Sequence, residues 1–322
     1  MAHTLYLVVP CYNEQEVLPE TSRRLKQKME ALLAQGRITS ESRVLLVDDG
    51  SRDDTWAIIY GLSDNDPLFA GLKLSRNRGH QNALLAGLMT AKEKADCVIS
   101  LDADLQDDVE AIDRFLDEHD KGADVVYGVR SKRDTDTAFK RLTAEGFYKF
   151  MKLMGVDIVF NHADYRLMSR RALEGLSQYK EVNLFLRGIV PLIGYKSSQV
   201  YYERHERFAG QSKYPLKKML AFAFDGITSF SVKPIRFICI LGLFIFAASV
   251  LALLALLCVK LFGFTVTGWT SLIATICLFG GLQMLCLGII GEYIGKTYQE
   301  VKARPRFLIE QYINRQAADK EE

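Results

Sequence analysis

The sequence predicts an α/β domain built on a mostly parallel sheet, followed by two membrane-spanning helices. Three observations predict it. Short apolar runs alternate with segments of helical period over the first part of the chain. Polar clusters follow most of these runs immediately. Nearly all of the charge-free sequence lies after Arg236.

The run from Leu5 to Pro10 reads as a buried strand, and residues 42–47 read as a second. Residues 72–74 fall in a third, and residues 97–101 and 124–128 make two more. Leu25, Met29 and Leu32 share a helical face between the first two strands. Ala83, Leu84, Gly87 and Leu88 do the same between the third and fourth. Strands alternating with helices imply a sheet covered on both faces, with its ligand beyond the carboxyl ends of the strands. The clusters at residues 11–14, 48–51, 76–80 and 102–106 should therefore converge on one crevice.

Residues 237–259 and 269–291 carry no charge. Each run is about 23 residues, or roughly 35 Å as helix, against a hydrocarbon core of about 30 Å. The short segment between them suits a turn between antiparallel spans. Lys233 and Arg236 precede the first run, and Lys296, Lys302, Arg304 and Arg306 follow the second. Only Lys260 lies near the turn. The positive-inside rule then places both ends, and the α/β domain, on the cytoplasmic side of the inner membrane. Two further segments, 137–154 and 215–231, carry apolar stripes beside lysines and arginines, as helices lying in the headgroup plane do. Packing on an internal core is the alternative for both. The expected division is residues 1–232 for the α/β domain and 233–322 for the membrane part with its basic tail.

The 322 residues carry a net charge of +2, too small to argue for nucleic acid as a partner. None of the six cysteines has C-x-x-C spacing, so reduced thiols in apolar packing are expected. The amino terminus shows no basic-then-apolar leader.

Asp102 and Asp104 are one residue apart at the end of the Val98-Ile99-Ser100-Leu101 run. Paired carboxylates there suit one hard divalent cation, Mg²⁺ or Mn²⁺, which can bridge them to a diphosphate. Asp48-Asp49-Gly50-Ser51 follows the second strand. One of its acids suffices to cap a helix, which leaves the other to accept a hydrogen bond from a nucleotide base. His80 and His162 have no partner histidine at ligand spacing. His80 reads as the start of a helix beside the expected crevice, and His162 as packing near Asp164.

The chain resembles the inverting glycosyltransferases of GT-A fold, specifically the polyprenyl-phosphate hexose transferases. These include bactoprenol glucosyltransferases and relatives of dolichyl-phosphate mannose synthase. The resemblance is carried by residues 9–14, 47–51, 75–81, 101–106 and 164–167, by Arg207 with residues 210–214, and by residues 291–295 and 303–306. It implies that Pro10, Tyr12, Glu14, Asp49, Arg76 and Asp102 contact the nucleotide-sugar. It implies that Asp102, Asp104 and Gln106 hold the metal, Asp104 thereby acting in catalysis. Arg130, Arg207 and Lys213 would neutralise phosphates, and Asp164 would sit at the reacting centre. Two positions depart from the pattern: Asp107-Asp108-Val109 stands where many relatives have a proline, and Gln211 where many have Glu.

The implied reaction moves a hexose, glucose or a relative such as N-acetylglucosamine, from a UDP-sugar to undecaprenyl phosphate. Metal and cations offset the charge of the leaving diphosphate, and attack from the opposite face inverts the anomeric centre. The acceptor is a phosphate monoester with a second pKa of about 6, so a strong general base is not required. Asp164 reads first as an orienting and electrostatic residue and second as a base, with a salt bridge to Arg166 or another arginine as the alternative. The sequence leaves a homo-oligomer open. A processive polysaccharide synthase is disfavoured because neither Trp56 nor Trp269 lies in a Q-x-x-R-W motif. A silent scaffold is disfavoured because every candidate ligand is present.

Overall fold

A computed structural model of the chain describes residues 2–130, 162–182, 185–203, 231, 233–261 and 268–315. The segment at 137–154 and that at 215–231, except for Ser231, lie outside them, as do Arg207 and Lys213. Two compact units result.

The first unit takes in residues 1–148, 158–214 and 304–322. Its strands are β1 (Leu5–Cys11), β2 (Arg43–Asp48), β3 (Phe69–Leu74), β4 (Cys97–Ser100), β5 (Val125–Arg130), β6 (His162–Ser169), β7 (Ser197–Tyr202) and β8 (Ile309–Ile313). Its helices are α1 (Leu18–Ala34), α2 (Thr55–Asn65), α3 (His80–Lys92), α4 (Ala111–Asp120), α5 (Arg170–Ser177) and α6 (Leu186–Leu192). The sheet order is β7-β5-β6-β4-β1-β2-β3-β8.

β1 pairs parallel with β2 and β4, and β2 with β3. All six residues of β2 and all seven of β1 are buried, as strands covered on both faces require. Leu5, Leu7 and Val9 join Leu25, Met29 and Leu32 of α1 in the main core cluster. The opposite face of β1 meets α3. A Cβ on Gly87 would come within 2.4 Å of Val8 Cγ1, so this glycine is what lets α3 lie close on the sheet.

The sheet is mixed: four of its seven pairings are parallel, β5 with β7 being the fourth, and three are antiparallel. β6 runs antiparallel to both β4 and β5, and β8 antiparallel to β3. β8 also redraws the expected division at 232/233. The tail after Ala303 belongs with the α/β unit, because its strand completes the edge that β3 would otherwise leave open. Lys73 bonds Glu310 at 3.2 Å, Lys94 bonds Tyr312 at 3.0 Å, and Arg315 pairs with Asp64 at 2.7 Å.

The second unit takes in residues 149–157 and 215–303 and contains α7 (Lys233–Leu261, 29 residues) and α8 (Trp269–Lys302, 34 residues). These helices cover the two charge-free runs. Large apolar side chains are exposed along both, among them Phe244 at 73%, Ile240 at 68%, Met284 at 68% and Ile294 at 63%. Counted over the described residues, no helix is long and apolar enough to cross a membrane.

Candidate active site

The expected convergence occurs at the carboxyl ends of β1, β2, β3 and β4. Pro10 is buried in β1, while Tyr12 just beyond it is 42% exposed. The Glu14 N–H donates to Thr55 Oγ1 at 2.9 Å, which ties the loop after β1 to the start of α2. The two acids at the carboxyl end of β2 divide their work. Asp48 accepts from the Ser51 N–H at 3.1 Å, closing the turn. Asp49 is 2% exposed and accepts from the N–H groups of Arg78 (2.7 Å) and Gly79 (2.9 Å). Burial raises its pKa, and those two N–H groups oppose the rise. Asp49 therefore first braces the 76–79 loop, a task the sequence reading did not assign to it. Arg76, in the same loop, is exposed.

Gly50 makes that brace possible. Its φ is +68°, and a Cβ there would stand 2.6 Å from backbone atoms of both Arg76 and Asn77. Gly50→Ala should destabilise the fold by about 1–3 kcal/mol, since both the conformation and the contact are unfavourable. A thermal melt indistinguishable from that of the unaltered protein would show that the loop has room to give.

Beyond β4, the Asp104 carboxylate accepts from the Gln106 N–H at 3.2 Å. Leu105 between them has a φ of +57°, an uncommon conformation for a non-glycine residue. The turn sets Asp102, Asp104 and Gln106 on one partly exposed loop. Burial lifts the Asp102 pKa to about 6; His80 opposes the rise, while Asp107, Asp164 and Asp104 add to it. Such crowding of carboxylates is what a cation would relieve. Among the described residues no three His, Cys, Asp or Glu side chains stand grouped to enclose a metal. The donor set nevertheless fits Mg²⁺ or Mn²⁺ bound together with a substrate. Mg²⁺ in such sites commonly takes one or two carboxylates and leaves its other positions to substrate phosphates and water.

Asp107 and Asp108, where many relatives carry proline, are anchored differently. Tyr202 donates its hydroxyl to Asp107 Oδ1 at 2.6 Å, and Tyr165 donates to the Asp108 carbonyl at 2.9 Å. Arg130 Nε reaches the Tyr202 hydroxyl at 3.3 Å, and its Nη2 lies 3.7 Å from Asp107. The expected phosphate-binding Arg130 is thus held against the loop that follows the paired carboxylates.

Asp164 lies on β6, two residues before Arg166 and on the same strand face. Arg166 is 2% exposed and meets Asp164 Oδ1 at 2.5 Å. Arg187 of α6 grips the same carboxylate from Nη2 (3.0 Å) and Nε (3.3 Å). His80 Nε2 lies 3.7 Å from Asp164 and 3.6 Å from Asp102, so it joins the two acidic centres rather than merely starting a helix. Burial alone would raise the Asp164 pKa. Arg166, Arg187 and His80 outweigh it and hold the carboxyl well below its usual range. The salt bridge considered for Asp164 is therefore real and doubled. The side chain of His162, at the start of β6, is outside the described set.

Arg187 and Gln81 are the residues that the sequence reading passed over. Gln81 Oε1 accepts from the Leu186 N–H at 2.9 Å and ties α6 to α3. Gln81 did fall within the quoted run 75–81. Arg187, in a short apolar helix, offered no pattern at all.

Paired carboxylates and a cation-flanked acid stand at one end of a GT-A-like mixed sheet, and the match to a known family shows that the chain is a glycosyltransferase. The family model described as glycosyl transferase family 2 matches residues 6–177, and the chain belongs to that family. It is 55% identical over 306 residues to the uncharacterized glycosyltransferase YkoT of Bacillus subtilis, covering 95% of this chain and 91% of that one. It is 40% identical over 305 residues to a bactoprenol glucosyl transferase of Shigella phage SfX, covering 94% and 97% respectively. Among solved structures it is similar to a glucosyl-3-phosphoglycerate synthase from Mycobacterium tuberculosis in complex with Mn²⁺, UDP and phosphoglyceric acid. That likeness has a TM-score of 0.44 at 17% identity and covers 70% of this chain and 76% of the other.

Proposed function

We propose that this glycosyltransferase moves a hexose from a UDP-sugar to undecaprenyl phosphate by metal-assisted inverting displacement, with glucose the first choice and N-acetylglucosamine the alternative. One observation carries the reading: the likeness to bactoprenol glucosyl transferase runs over 94% of this chain, so it takes in the helical region as well as the α/β unit. The site supports it. Asp164, kept ionised between Arg166 and Arg187, is a poor proton acceptor, which suits an acceptor that arrives already ionised. A divalent cation at Asp102, Asp104 and Gln106 would supply counter-charge for the leaving diphosphate. Pro10, Tyr12, Glu14 and Arg76 would line the donor side, with Asp49 behind them.

The direct test is to supply radiolabelled UDP-glucose and UDP-N-acetylglucosamine to membranes carrying the protein, with undecaprenyl phosphate added. Label should pass into the lipid fraction from one of them. Label that enters only polymer, or stays in the aqueous phase, would overturn the reading.

The membrane setting is part of the proposal. Charge-free runs lie within α7 and α8, and both helices expose large apolar side chains that water does not favour. The chain then returns to pair β8 with β3, so residues before α7 and after α8 share one compartment. An even number of crossings meets that requirement, and the flanking lysines and arginines make the shared side cytoplasmic. The basic segments 137–154 and 215–231 would hold the site at headgroup depth. In a cysteine-free background, an impermeant maleimide should label a cysteine placed at Thr265 in intact cells and spare one at Asp319. The reverse pattern would rule out this topology.

A further inference from the structure

His80 stands between the two acidic centres of the crevice and is hydrogen-bonded to neither. Its Nε2 lies 3.6 Å from Asp102 Oδ1 and 3.7 Å from Asp164 Oδ2. Both separations exceed a hydrogen bond, and among the described residues neither ring nitrogen makes one. The side chain is 44% exposed, so a ligand can reach it. Its backbone is nevertheless fixed on both sides. The preceding Gly79, at a φ of +85°, turns the chain into α3 and gives its N–H to Asp49 at 2.9 Å. The following Gln81 accepts from the Leu186 N–H at 2.9 Å. One residue further on, the Asn82 side chain donates to the Arg78 carbonyl at 2.8 Å. A ring carried on so braced a backbone, with its donor left unspent in the crevice, is arranged for a ligand.

We propose that His80 binds the transferred hexose, giving its Nε2–H to a sugar hydroxyl. The assignment rests on the nucleotide-sugar reading above and adds to it a residue that meets the sugar itself. Position selects the hexose among the parts of the donor. A cation at Asp102 and Asp104 would set the donor's diphosphate on one side of the imidazole. Asp164, read as the residue at the reacting centre, stands on the other side. The hexose is bonded to that diphosphate and must offer its far face to the acceptor, so it occupies the space between. Nε2 faces a carboxylate of each centre and therefore faces that space.

The chemistry of the ring suits the task. Two carboxylates opposite Nε2 favour the tautomer that keeps a hydrogen there. A sugar hydroxyl drawn from water into the crevice needs a partner, and an unpaired one is costly. An imidazole N–H supplies that partner without a proton having to move, and the ring's carbon edge packs against the sugar's C–H groups.

The test compares two ligands that differ by the sugar alone. The full-length protein in detergent, with Mn²⁺ present and no acceptor, is titrated calorimetrically with UDP. It is then titrated with UDP-glucose or UDP-N-acetylglucosamine, whichever the unaltered protein binds more tightly. His80→Phe keeps a ring and removes the donor. It should weaken binding of the UDP-sugar about tenfold, the loss of one hydrogen bond, and leave UDP affinity within about twofold. His80→Gln returns an N–H at similar reach and should recover most of the loss. Equal weakening of UDP and UDP-sugar would mean that His80 acts through Asp102 and its cation, and the proposal fails. It fails too if neither affinity changes, or if the glutamine variant binds UDP-sugar as weakly as the phenylalanine variant. Should His80→Phe fail to fold, His80→Ala takes its place under the same criteria. An unaltered protein that binds no UDP-sugar would remove the donor proposed above, and this assignment with it. One that binds UDP-sugar yet passes it to no polyprenyl phosphate would refute the acceptor alone, and the same titrations would still decide the role of His80.

Discussion

Replacing Asp104 with alanine is expected to remove nearly all turnover, a loss of about three orders of magnitude or more. The leaving diphosphate must be offset as the bond to the sugar breaks, and counter-charge in such a site is worth several kcal/mol of barrier. Asp104 offers two separable contributions. Its charge would help to hold a divalent cation, and its oxygen accepts from the Gln106 N–H at 3.2 Å to close the turn around Leu105. Asparagine keeps an acceptor oxygen for the turn and loses the charge. Asp104→Asn should therefore melt like the unaltered protein while being nearly as inactive as the alanine variant. Excess EDTA should silence the unaltered enzyme, and Mg²⁺ or Mn²⁺ should restore it. Full turnover in EDTA would end the metal reading. Activity in Asp104→Asn close to wild type would move the charge requirement elsewhere.

The crevice was legible because its parts follow strands whose signal is strong. Leu5 to Cys11 is apolar and entirely buried, so both the strand and the polar residues after it could be placed from sequence. β6 was not legible as a strand. Its eight residues place His162, Asp164 and Arg166 at alternate positions, so one face carries three polar groups where a buried strand would carry apolar ones. The cost of burying Asp164 and Arg166 is met by their pairing, and Arg187 comes from 23 residues further on. Ion pairing of that kind has no period. β8 escaped for the opposite reason. Three of its five residues are exposed, so it lacks a buried face, and its partner β3 lies more than 200 residues away, as the Lys73–Glu310 contact at a separation of 237 shows. Edge strands paired over such distances leave no local trace. The antiparallel partners were invisible in the same way, since alternation of strands and helices announces only the parallel pairs. Asp49 shows a subtler limit. Sequence could show that two adjacent acids stand at the end of β2, but not that the second spends both oxygens on the Arg78 and Gly79 N–H groups.

Asp164→Asn separates the two roles open to that residue. A general base works best when its pKa lies near the working pH. Asp164 is held well below the usual carboxylate range by Arg166 and Arg187 against the effect of burial, so as a base it would be weak. If it orients and balances charge, asparagine should lower kcat by about a hundredfold to a thousandfold, in line with loss of one preorganised electrostatic contact. The pH profile should keep its shape. The rising limb near pH 6 should belong to the second ionisation of the acceptor and appear in both forms of the enzyme. A polyprenyl phosphonate, a weaker acid in that ionisation, should carry the limb to higher pH. A limb that vanishes in Asp164→Asn, or one that ignores the acceptor's acidity, would make Asp164 the base after all. Stability supplies an independent check. Because the folded pKa is depressed, the stabilisation from Asp164 is fully present above the unfolded value of about 3.9. It is lost only as pH falls through the lower folded value, so the contribution is flat between pH 5 and 8. Across that range the asparagine variant should be less stable by about 3 kcal/mol, since Arg166 stays buried with its counter-charge removed. That loss leaves a domain of ordinary stability folded. UDP binding retained at full affinity would show that the missing turnover comes from the reacting centre and not from the fold.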